Sequence, residues 1–238
     1  MEKNDKRSLN RRLLLLYVCY FIIIAAGFLH SYMPMFSRGF AAGLDAAQQE
    51  IESSRQGIEK RWYLFPIRQA LLDEQTLALD SQYDNVGIEI GAYDAVASVR
   101  VSSADPDNDE ALCMVARNYR KAMAASIGVS LSWLAILVLI GVIINSLRRS
   151  IRDQRTLSDR NIIYMRIIGG LIIVSELLNA LAYNVGQRTV AAISREAVSF
   201  AGAFPIEYGN IVLGVLVLFS AEVFAIGALL SEEQKLTI

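Results

Sequence analysis

Three full charges stand inside otherwise apolar runs: Arg166 and Glu176 in NIIYMRIIGGLIIVSELLNAL (161–181), and Glu222 in YGNIVLGVLVLFSAEVFAIGALL (208–230). An ionised side chain in hydrocarbon is costly, so such residues turn to a neighbouring helix, a cavity or the water interface, and they are candidate sites for that reason. Arg166 lies about five residues from one end of its run, a depth of roughly 7–8 Å at about 1.5 Å per residue, shallow enough for its side chain to snorkel. Glu222 sits at a comparable depth in its own run. An intramembrane ion pair, Arg166–Glu222, is therefore the favoured arrangement, with Arg166 reaching lipid phosphate as the alternative. Glu176 lies deeper and about 80° around the helix from Arg166 at about 100° per residue, so the two are not partners. Glu176 shares a face with Asn179 and Tyr183, and Asn210 enters the next run at similar depth. These four form a candidate polar cluster. Its plain chemistry is interhelical hydrogen bonding, and its sharper one is a ligand or proton site.

Little else in the chain carries chemistry. The single histidine, His30, falls at the edge of an apolar run, and no metal-ligand spacing, phosphate loop or nucleophile motif is present. Glu232-Glu233 reads as a solvated charge pair rather than an acid–base pair. No enzyme activity, metal or cofactor is expected. Cys19 lies in an apolar run and Cys113 in a polar segment, so they do not form an intramolecular disulfide. Cys113 could bridge two copies, though a free thiol is the simpler reading.

The elements that must position these residues follow from hydropathy. Hydrophobic residues make up 54% of the chain, above the roughly 45–50% of a soluble domain, and the surplus is gathered in four runs: 13–30, 122–147, 161–183 and 208–230. Each reaches the roughly 17–25 residues that a helix needs to cross about 30 Å of hydrocarbon. Backbone groups in lipid must be bonded internally, so the runs are expected to be helices. The expected fold class is mainly α: a polytopic membrane protein with four transmembrane helices and a small α+β extracytoplasmic cap, residues 31–121, between the first two.

Charge sets the orientation. The segments 1–12 and 148–160 hold five basic residues each, whereas 31–121 holds fourteen acidic against nine basic. Short basic loops stay in the cytoplasm. The N-terminus, the 148–160 hairpin loop and the 231–238 tail are thus placed inside, with 31–121 and the loop 184–207 outside. A cleaved signal peptide is the rival reading of KRSLNRR, the first run and Ala25-Ala26-Gly27. That run is longer than the usual h-region of about 7–15 residues, which favours an uncleaved anchor. The net charge of −1 argues neither way about nucleic acid, and no direct nucleic-acid binding is expected.

Within the cap, FAAGLDAAQQEIESSRQG predicts a helix up to about Gly57. Period-two alternation predicts strands at Val86–Tyr93 and Ala95–Val101. Asp107 to Asp109 can cap a helix that starts near Glu110 and runs directly into the second span, ending near Asp153. Ser158 can cap the next helix, with Asp159 in its first turn. Gly169-Gly170, Gly209, Gly214 and Gly227 would let the third and fourth helices approach closely.

The hairpin RTLSDRNIIYMRIIGG (155–170), the run AEVFAIGALL (221–230) and the tail SEEQKLTI (231–238) resemble the bacterial membrane family DUF2975. The family's patterns there are a basic stretch with a turn, an Asn and Leu-Arg-x-Ile-Gly; Ala-Glu-x-Phe-x-x-Gly; and Glu-Glu-Gln/Asn-x-Leu-Thr-Ile. Met165 stands where Leu is commoner and Leu157 where Phe is. The resemblance covers about residues 147–238 and none of 31–121. It implies a four-helix membrane protein of a kind often encoded beside a small helix-turn-helix regulator of the Cro/CI type. It also carries over Arg166, Glu222 and the tail from Glu232 to Ile238 as candidate functional positions.

The expected function is a non-enzymatic sensor or regulatory partner of a cytoplasmic helix-turn-helix transcription regulator. Glu232, Glu233, Leu236, Thr237 and Ile238 would form a docking tail that adds as a strand to a partner, or that packs back on Arg148, Arg149 or Arg152. The alternative is a small-molecule or ion transporter subunit working as a homo-oligomer. Glu176, Asn179 and Asn210 would then line a path, with Arg166 and Glu222 as an inner gate. A structural assembly factor is a third option. The bilayer is the partner common to all three.

Overall fold

The computed structural model describes residues 15, 18, 19, 22, 26, 59–67, 77–90, 96–103, 109–152, 159–195 and 205–236. Among them are four strands, β1 (Glu59–Pro66), β2 (Leu77–Leu79), β3 (Val86–Ile90) and β4 (Val96–Ser103), and three long helices, α1 (Glu110–Arg152), α2 (Asp159–Ile193) and α3 (Tyr208–Leu236). The chain divides into two compact units, one of 40–130 with 175–207, the other of 1–39, 131–174 and 208–238.

The first unit is built on a wholly antiparallel sheet in the order β1-β4-β3-β2. Alternation puts every second residue on one face, and the pairing stacks those residues into rows: Phe65, Ala97 and Ile90; then Tyr63, Val99, Ile88 and Leu79; then Arg61, Val101 and Val86. Helices cover this face. Ala111, Leu112, Val115 and Ala122 from the start of α1, and Val190 and Ile193 from the end of α2, join the strand residues in one buried core. Tyr119 meets the rings of Tyr63 and Phe65 edge-on at 5.2 and 5.8 Å. At Gly186 an added Cβ would run into the carbonyl oxygen of Pro66, so α2 rests backbone to backbone on the end of β1.

Both helix ends in this unit are tied to the sheet. Asp109 caps α1: its Oδ1 accepts the Leu112 N–H at 3.0 Å, and its Oδ2 accepts the Asn85 side-chain amide at 2.6 Å. At the other end, the Gln82 and Arg195 amides donate to Ile193 and Asp80 carbonyls at 2.9 and 2.8 Å, around a bridge of Ser81 with Ser194. Carbonyls that a helix end leaves open are thus partly satisfied by the strand connection.

The second unit holds the rest of the long helices. Ile136, Ile168 and Ile172 form its small buried cluster, flanked by Ile140, Leu171 and Val217. Outward, α3 exposes Val212, Leu216, Phe219, Val223, Ile226 and Leu230. An apolar exterior of this kind suits lipid rather than water.

Three helices among the described residues are long and apolar enough to cross a membrane: Glu110–Arg149, Asp159–Ile193 and Tyr208–Leu230. The sequence predicts four. Of the run 13–30 only Leu15, Val18, Cys19, Ile22 and Ala26 are described, and all five are helical and exposed. The expected helix before Gly57 and the Ser158 cap lie outside the described residues.

Where sequence and structure differ, packing supplies the reason. The strands β3 and β4 and the uninterrupted α1 correspond to the alternation and capping read from the sequence. The segment 184–193, expected to be loop, continues α2 instead, because Val185, Val190 and Ile193 pack on the sheet core. The segment 231–236, expected to be tail, continues α3 as helix.

Candidate functional site

Arg166 sits on the second turn of α2 and Glu222 midway along α3. Antiparallel packing of the two helices brings them together: Arg166 Nε donates to Glu222 Oε1 at 2.8 Å, and Nη2 donates to Oε2 at 2.9 Å. Two parallel bonds between a planar guanidinium and a carboxylate are the most directional ion pair that side chains can make. The glycines explain why the helices come so close. A Cβ on Gly169 would lie 2.7 Å from Leu218 Cγ and 2.9 Å from the Gly214 carbonyl oxygen, and one on Gly214 would lie 2.6 Å from Ile173 Cγ1. Neighbouring Gly170 has nothing within 4 Å. Small residues thus seat the backbones together one turn from the ion pair.

Glu176 is 3% exposed, and its Oε1 accepts the backbone N–H of Glu207 at 2.7 Å. That bond ties α2 to the chain just before α3. Asn179 and Tyr183 follow on the same face of α2, both half-buried. Asn210 lies in the first turn of α3, in the other compact unit. The residue reading the polar cluster lacked was Glu207, whose backbone amide rather than side chain meets the carboxylate. No sequence pattern signals a backbone donor in an irregular segment.

Glu232, Glu233 and Leu236 lie on the last turns of α3, so they form a helix end rather than an extended peptide. Thr237 and Ile238 lie outside the described residues, as do His30 and the expected turn at 153–158. Asn161 is 1% exposed, and among the described residues neither its Oδ1 nor its Nδ2 has a hydrogen-bond partner. A buried, unsatisfied amide is uncommon enough to mark a position. Cys19 and Cys113 are both free and exposed.

A second candidate region was not anticipated from the sequence. A cavity of about 630 Å³ opens at the start of α1, lined by Arg61 of β1, by Tyr83, and by Glu110, Cys113, Arg117 and Arg120 of α1, with Leu112, Met114 and Ala116 as its apolar wall. Arg61 shares the parity of Tyr63 and Phe65, hence the helix-covered face of the sheet. The cap of α1, Asp109, is held below the ordinary carboxyl value of 3.8. Burial pushes the other way, but the Leu112 and Ala111 amides and the Ser103 and Asn85 side chains outweigh it by bonding the charged form.

A family model described as "Protein of unknown function (DUF2975)" matches residues 89–238. The match begins within β3 and takes in β4 and all three long helices, so it extends well beyond the hairpin and tail where the sequence resemblance was seen. No curated protein and no solved structure matches the chain.

Proposed function

The chain belongs to the DUF2975 family, and on that footing we propose that it is a four-span protein of the bacterial inner membrane acting as a non-enzymatic regulatory partner of a cytoplasmic helix-turn-helix regulator. The run 13–30 is the fourth span in this reading, both termini and the 148–160 loop are cytoplasmic, and 31–121 is the outer cap. The observation that carries it is the bidentate Arg166–Glu222 pair, which joins the helix leaving the hairpin loop to the helix that ends in the C-terminal segment. A pair so placed couples the two cytoplasmic elements that a regulator could touch. Glu232, Glu233 and Leu236 would present themselves to it as a helix end.

The test is crosslinking and capture from native membranes, with the intact chain compared against one ending at Gln234. Capture of a helix-turn-helix protein by the intact chain alone supports the reading. Identical capture by both chains removes the C-terminal segment from it, and capture of no such protein by either removes the regulator.

Transport by an oligomer is the second reading, and the buried Glu176 carboxylate favours it. Glu176→Gln separates the two. A transporter loses flux with that change, whereas a regulator whose Glu176 only anchors the 205–207 segment keeps its partner.

A further inference from the structure

We propose that the cavity at the start of α1 binds a phosphate-bearing anion. Three arginines, Arg61, Arg117 and Arg120, line a space of about 630 Å³, a volume within the roughly 300–1,000 Å³ of small-molecule pockets. Arg117 and Arg120 are three residues apart and so share a face of α1. Among the described residues neither of them takes part in an ion pair. Arg61 comes from a different element, so the cations converge on a space rather than line one helix. Counting Arg117 and Arg120 against Glu110, the α1 side of the wall is net positive, which suits a phosphate monoester at about −1.5 to −2. Guanidinium forks match phosphate oxygens in pairs. Leu112, Met114 and Ala116 offer an apolar wall to the organic part of a ligand, and Glu110 and the Tyr83 hydroxyl can meet its donor groups.

Two sources share this chemistry: a soluble phosphate ester, and the headgroup of an anionic phospholipid at the surface where α1 turns apolar. The proposal goes beyond the regulatory reading and stands whether or not a regulator docks.

Cys113 lines the same cavity and is exposed, so its reactivity reports occupancy. In the full chain carrying Cys19→Ala, Cys113 is the sole thiol, and its maleimide labelling rate is followed in phosphatidylcholine nanodiscs. Glycerol 3-phosphate, against sodium chloride of equal ionic strength, is expected to slow labelling several-fold, and Arg117→Gln with Arg120→Gln to abolish that protection. Replacing part of the lipid by phosphatidylglycerol tests the headgroup in the same way. Protection by the ester alone assigns a soluble ligand, and protection by the lipid alone assigns a headgroup. Labelling that neither probe slows, or that both slow equally in the Gln variants, overturns the proposal. Both arginines are exposed, so the variants are expected to fold, and an unchanged helical circular dichroism spectrum checks it; Arg120→Gln alone, with partial loss of protection, serves if the double variant does not.

Discussion

Arg166 and Glu222 make two well-directed bonds, yet their side chains remain 46% and 57% exposed. An ion pair in that position is held by geometry more than by burial, and its contribution is best read as coupling. Arg166→Gln and Glu222→Gln are each expected to lower the melting temperature in detergent, and the double variant to fall well short of the sum. Additive losses would show that the pair is not formed. Asp109 offers a titratable counterpart. Its folded-state pKa lies below 3.8, so its stabilisation is complete above the unfolded value and is lost as pH falls through the lower folded one. Asp109→Ala is expected to cost about 1 kcal/mol near neutrality, as loss of an N-cap does, and to remove the acid-side decline that this group contributes; equal acid sensitivity in both proteins would refute it. Asn161 presents the opposite case, a buried amide with no partner among the described residues. Asn161→Leu is expected to raise stability by about 1 kcal/mol, because an unmet donor and acceptor leave the interior. A loss of stability in thermal melts would instead reveal a bond that the folded chain makes.

Among the elements, legibility tracked local pattern. β3 and β4 could be read because Val86, Ile88, Ile90 and Ala97, Val99, Val101 alternate with polar or small residues. β1 could not: EKRWYLFP places Arg61 on the inward parity and exposes Leu64, so its alternation is blurred at both ends. β2 spans three residues, too few to show a period. The end of α2 was obscured for a different reason. Asn184, Gly186, Gln187 and Arg188 close the apolar run, but helix needs only backbone bonds and one packed face, which the sheet supplies. The glycine seat between α2 and α3 was visible as a tendency, but which glycine touches depended on rotation about the helix axis. Gly169→Ala is therefore expected to destabilise by about 1–3 kcal/mol through overpacking, while Gly170→Ala, with nothing within 4 Å, is neutral or slightly stabilising. Equal effects in denaturation measurements would place the helix contact elsewhere.

At the level of the whole molecule, the apolar runs and the polarity of the loops could be read from composition alone, whereas the cavity could not. Its arginines stand at 61, 117 and 120, and only the folding of β1 beside α1 makes them neighbours. Arg166 and Glu222 were legible as a pair because both sit at similar depth in apolar runs, a one-dimensional cue. The buried bond from Glu207 to Glu176 had no such cue. The proposed orientation has a direct check. In intact cells a membrane-impermeant maleimide is expected to label Cys113, and to leave unlabelled a cysteine introduced as Gln154→Cys until the membrane is opened. Labelling of both, or of the second alone, would reverse or break the topology.

The two bonds from Arg166 and the seat at Gly169 and Gly214 also limit how the helices can move. Sliding α3 along α2 by one turn, about 5.4 Å, would break both bonds at once and push side chains into the space that only hydrogen atoms now occupy. A motion that slides α3 along α2 would therefore first have to unclasp the arginine, whereas one that keeps the clasp carries both helices as one piece.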